Sequence, residues 1–97
     1  MKKYFVLYLR PPRPSFSQDM TTEERNIMLQ HVAYWNDLMI KGFVVALGPV
    51  IDPNGVYGLG IIEAESLEQV NGFTTNDPAN GLNKYEIFPM MAVTPKK

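Results

Sequence analysis

Two helix-start signals organise this chain: Thr21 stands three residues before Glu24, and Ser66 three before Gln69. At that spacing the hydroxyl accepts from a backbone N–H one turn on, while the longer side chain can return to the cap. Strand-like stretches flank both starts. Tyr4 to Leu9 is rich in aromatic and branched residues and reads as a strand. Arg10-Pro11-Pro12-Arg13-Pro14 cannot continue its ladder, because proline has no N–H to donate. A loop to about Met20 precedes the first helix, which Gly42 ends.

Phe43 to Ile51 is the second strand, Asp52-Pro53-Asn54-Gly55 a hairpin turn, and Val56 to Ala64 the third strand. Gly58 and Gly60 share one face of it, leaving room for something to approach the backbone. The second helix carries Leu67, Val70 and Phe73 and is weakened by Gly72; Asn76 to Gly81 is a loop. Tyr85 to Val93 is the last strand, with Pro89 marking an edge or a bulge. The resulting order, βαββαβ, is that of the ferredoxin-like α+β fold: one antiparallel sheet with both helices on one face.

The 97 residues suit one domain, residues 1–97, and are too few for two. A net charge of −1 with scattered Lys and Arg offers nucleic acid no basic patch. With no cysteine there is no thiol nucleophile and no thiolate zinc site. One histidine and dispersed carboxylates show no metal-ligand spacing, and no glycine-rich phosphate loop appears, so no metal and no cofactor are expected. The apolar run after Lys2-Lys3 stops at Arg10 without a cleavage-site pattern, and nothing reaches membrane-span length. A cytoplasmic protein with no membrane partner is the expectation.

Two helices cover only one sheet face. Yet the first strand is apolar at Phe5, Leu7 and Leu9 and again at Tyr4, Val6 and Tyr8, and Phe43 to Leu47 is apolar on both sides. A sheet with one wet face should alternate. At about 25 cal/mol per Å², a few hundred Å² of bare apolar surface amounts to several kcal/mol. The expected partner is a second copy, packed sheet against sheet about a two-fold axis.

His31, the only histidine, falls inside the apolar stripe formed by Ile27, Met28, Val32, Trp35, Leu38 and Met39. A buried imidazole there is either a structural group bonded to a backbone carbonyl or the proton-moving group of a pocket. The nearest acceptor by type is the Asp77-Pro78 loop after the second helix, which can approach the first helix if the two lie side by side. A carboxylate beside imidazole fixes its tautomer and favours the protonated ring, which makes a workable general base. Tyr34 and Trp35 flank His31 on the helix, and either can line a pocket, Trp35 also being a core candidate. Gly48-Pro49 either shapes a pocket wall or simply ends a strand. Arg10 and Arg13 can hold an anionic substrate at a cleft mouth, or stand as solvated loop charges.

His31-Val32-Ala33-Tyr34-Trp35, Gly42 to Val50, Glu63 to Gln69 and Asn76-Asp77-Pro78 together resemble, in order and spacing, the YciI-like (YCII-related) family. The resemblance runs from about Thr21 onward and implies a dimeric α+β barrel. It implies an active-site dyad of His31 and Asp77 and, at its most ambitious, a dehydrochlorinase-like elimination by a lyase. The chain departs from the family at Ala79, where relatives often carry an aromatic, and in its longer Pro-rich stretch. Two readings follow. One is a small cofactor-independent lyase or isomerase acting on a small phenolic or carbonyl compound. The other is a non-catalytic small-ligand-binding or accessory homodimer.

Overall fold

The computed structural model describes residues 2–95. The chain runs through β1 (Lys3–Arg10), a short helix α1 (Phe16–Asp19), α2 (Thr22–Ile40), β2 (Val44–Val50), β3 (Tyr57–Ala64), α3 (Leu67–Thr75) and β4 (Lys84–Met90). The strands form one four-stranded sheet in the order β2-β3-β1-β4, every neighbouring pair antiparallel. This is the ferredoxin-like α+β arrangement, with α1 added in a stretch that sequence reading assigns to loop. Pro89 lies on β4, an edge strand, where a missing donor is tolerated. The ladder's irregularity is elsewhere, at Val44/Ala46 of β2.

Both cap signals act. Thr21 and Glu24 form a reciprocal capping box at the start of α2. Ser66 accepts from Gln69 N–H, but the Gln69 side-chain oxygen Oε1 reaches past the cap to accept from Glu65 N–H, so the second box is half made. After α2 the chain turns at Gly42, whose φ of 92° lies in the left-handed region that glycine enters freely.

Residues alternate cleanly along β1. Phe5, Leu7 and Leu9 are buried toward the helices, and Tyr4, Val6 and Tyr8 are half-covered on the outer face. The core joins Phe5, Leu7, Val44, Ile62 and Ala64 of the sheet to Trp35 and Leu38 of α2 and Val70 of α3. Among the described residues no element covers the outer face, where Val6 stands beside Ile61 on one side and Phe88 on the other. Among the described residues no helix is long and apolar enough to cross a membrane.

Candidate functional site

The buried side of α2 is narrower than its apolar stripe. His31, Trp35 and Leu38 are buried, whereas Val32 is 51% exposed and Met39 38%. The reason is a hollow of about 480 Å³ between α2 and the inner sheet face, on whose wall His31, Val32 and Met39 all lie. Leu7 and Leu9 of β1 form its back, and Phe16 of α1 closes one side. Gly58 and Gly60 also line it, but they serve their neighbours. A Cβ at Gly58 would sit 2.9 Å from Leu9 Cβ, and one at Gly60 2.8 Å from Leu47 Cδ1.

His31 Nδ1 lies 2.7 Å from Asp77 Oδ2, with Asp77 4% exposed. The same oxygen accepts from Trp35 Nε1–H at 2.7 Å, and Oδ1 accepts from the Ala79 N–H at 2.8 Å. An ionised carboxylate only accepts, so Nδ1 carries the proton and Nε2 is the imidazole's free nitrogen. Residues 31 and 35 are one helical turn apart on the same face, which is why one carboxylate reaches both. The turn after α3 delivers that carboxylate: Asp77 N–H donates to the Thr74 carbonyl at 3.3 Å, and the Asp77 carbonyl accepts from Asn80 N–H at 3.0 Å.

The other expected site residues divide. Gly48 and Pro49 line the hollow. Tyr34 does not: its hydroxyl donates to the Phe73 carbonyl at 2.6 Å, and its ring packs edge-on against Trp35, tying α2 to α3. Burial, with the nearby Asp77 charge, raises the Tyr34 phenol above its ordinary pKa. Arg10 points to the outer sheet face, where it pairs with Glu86 and stacks 4.6 Å over the Tyr8 ring. It is neither at the hollow nor free.

Arg13 is also engaged. It grips Glu24 with two bonds of 2.8 and 2.9 Å and Asp19 with two more, of 2.8 Å to Oδ1 and 3.0 Å to the backbone carbonyl. That clamp holds α1 against the start of α2 and so keeps Phe16 at the hollow. Its hydrogen bonds hold the Glu24 carboxyl at about 2, helped by the Thr21 N–H.

Sequence reading missed three contributors: Trp35 as a donor to Asp77, and Asn83 and Tyr85 on the wall. Trp35 was findable, since a buried indole N–H four residues from His31 needs an acceptor. Asn83 and Tyr85 gave no comparable signal. Among the described residues no group of three or more His, Cys, Asp or Glu is placed to hold a metal ion.

The YCII-related domain matches over residues 4–93. The chain belongs to that family. Within solved structures, this YCII-related chain is similar to 5-chloro-2-hydroxyhydroquinone dehydrochlorinase (TftG) from Burkholderia phenoliruptrix AC1100, determined in complex with 2,5-dihydroxybenzoquinone. The likeness has a TM-score of 0.64 at 23% identity and covers 87% of this chain and 89% of the other. At that identity it speaks to the fold. No curated protein matches the chain.

Proposed function

We propose that this YCII-related protein binds a small ring-bearing or carbonyl compound in the hollow beside His31 and carries out acid–base elimination on it, as a cofactor-independent lyase. One observation carries the reading: an imidazole oriented by a carboxylate at 2.7 Å stands on the wall of an apolar hollow of about 480 Å³. Nε2 takes a proton from the substrate, and the electron pair of the broken bond forms the new π bond. The leaving group departs with its own pair. Asp77 lies against the imidazolium that forms, and the same ring returns the proton to product or solvent. Dehydrochlorination of a hydroxylated ring, the activity for which the structural neighbour is named, is the variant of this step we favour.

Chloride release from 5-chloro-2-hydroxyhydroquinone is the direct test. Turnover by the wild type that is lost in His31→Ala supports the proposal; release at the uncatalysed rate by both sinks this substrate. A second reading has its own support, because Asp77 is bonded to Trp35 and Ala79 as well as to His31 and so also acts as a fold post. On that reading the protein is a ligand-binding or accessory module, which binds ring compounds without turning them over.

We further propose a homodimer packed sheet against sheet. The support is the uncovered apolar outer face, where Val6, Ile61 and Phe88 stand side by side.

A further inference from the structure

Among the described residues, two buried oxygens carried by residues that line the hollow have no protein partner, and the His31–Asp77 pair uses neither: Asn83 Oδ1 and the Tyr85 hydroxyl. A buried polar atom left unbonded is destabilising by more than a typical hydrogen bond stabilises, so each such group calls for a ligand or a water. The two residues stand two positions apart where the chain enters β4, which puts both on the sheet face toward the helices. Asn83 is 2% exposed.

Which end of the Asn83 amide is free follows from its neighbour. Nδ2 donates to Met28 Sδ at 3.3 Å, and a thioether can only accept, so the carbonyl oxygen is the unbonded end. The backbone holds the residue too: Asn83 N–H donates to the Ala79 carbonyl at 3.0 Å, in the turn that carries Asp77. One loop therefore positions both the partner of His31 and Asn83.

We propose that Asn83 determines specificity, its Oδ1 accepting a hydrogen bond from a ring hydroxyl or ring amine of an uncharged ligand, with the Tyr85 hydroxyl as the second polar contact. This rests on the hollow being a ligand site, as proposed above. An amide oxygen accepts only, so the ligand must bring the donor. Among the described residues no Lys, Arg, Asp or Glu lines the hollow. At Asn83 a carboxylate would set its oxygens against an unpaired carbonyl oxygen, with no proton to offer it. Phenols and anilines therefore fit the Asn83 position, and carboxylates do not.

The test is binding of three probes of one ring size, hydroquinone, 1,4-dimethoxybenzene and 4-hydroxybenzoate, followed by NMR on the Met20 and Met28 methyls and the His31 ring. Hydroquinone should bind the wild type more tightly than the dimethyl ether, and 4-hydroxybenzoate should bind weakest. In Asn83→Leu, which keeps the volume and removes the acceptor, hydroquinone should weaken about threefold to tenfold while the ether is unchanged. Tyr85→Phe should give a smaller loss of the same kind. Hydroquinone binding equally well to wild type and Asn83→Leu overturns the role of Asn83 and leaves the ligand site standing. If no probe moves these resonances in the wild type, both proposals fall. Should Asn83→Leu not fold, the wild type decides: hydroquinone binding no tighter than its ether refutes the inference.

Discussion

Asp77→Asn exchanges one oxygen of a carboxylate that accepts three hydrogen bonds for an amide nitrogen that can only donate. If the amide oxygen stays in the place of Oδ2, it still accepts from His31 and Trp35, and the new NH₂ confronts the Ala79 N–H 2.8 Å away. If the amide turns, Ala79 is satisfied, but the NH₂ now faces the Trp35 indole N–H, and His31 must move its proton to Nε2. Either way one buried donor is stranded against another. A stranded buried donor is destabilising by about 1–3 kcal/mol, and the remaining bonds weaken as the charge is lost. For a domain of this size each kcal/mol lowers Tm by about 4–8 °C. Asp77→Ala leaves all three donors without an acceptor and should be less stable again. Urea unfolding of the three proteins at pH 7 and one fixed protein concentration measures this order, and ¹⁵N shifts of the single imidazole report which way the amide sits. Asp77→Asn matching the wild type to within about 0.5 kcal/mol would refute the three-donor account.

The Glu24 clamp makes a pH prediction. Glu24 has its folded pKa lowered from 4.5 to about 2, so its contribution to stability is complete above about pH 4.5 and is lost as pH falls toward 2. Arg13→Ala should flatten that acid limb of the unfolding curve, and an unchanged limb would count against the clamp. Val6→Lys places a charge at the centre of the outer face, and light scattering after gel filtration should show a dimer becoming monomer; a monomeric wild type rejects the dimer outright. Gly58→Ala drives a methyl to 2.9 Å from Leu9 Cβ, beside the backbone, whereas Gly60→Ala meets only the mobile tip of Leu47. Thermal melts should therefore rank Gly58→Ala lower, by about 1–3 kcal/mol of overpacking, and equal melts would mean that the sheet yields there.

Much of the architecture was readable because its signals are short-range. The Thr21–Glu24 box spans one turn, the Gly42 stop is a single φ, and Pro89 excludes a central strand by lacking one N–H. The unbroken apolar and aromatic run from Tyr4 to Leu9 likewise predicted two apolar faces before any sheet was assembled. The short helix α1 escaped notice because four residues behind a proline-rich run carry no period to detect. The pairing of Arg10 and Arg13 was out of reach for a different reason. Their partners Glu86 and Glu24 lie 76 and 11 positions away, and no local pattern pairs a loop arginine with a carboxylate that distant.

Element order and the apolar face that holds His31 were settled by interactions within a turn or two along the chain, and these any reader of the residues can count. The approach of His31 to Asp77, 46 positions apart, was expected from the order of helices and from family likeness, but its geometry was not in the letters. That distance is a sum over the packing of α2 and α3 on a twisted sheet, where each contact shifts the next. The hollow is still less local, since its volume is what remains once Leu7, Leu9, Phe16 and Met28 have taken their places. Close packing turns small offsets in several side chains into the presence or absence of a cavity, so the site's room and its two unpaired oxygens emerge only from the assembled fold.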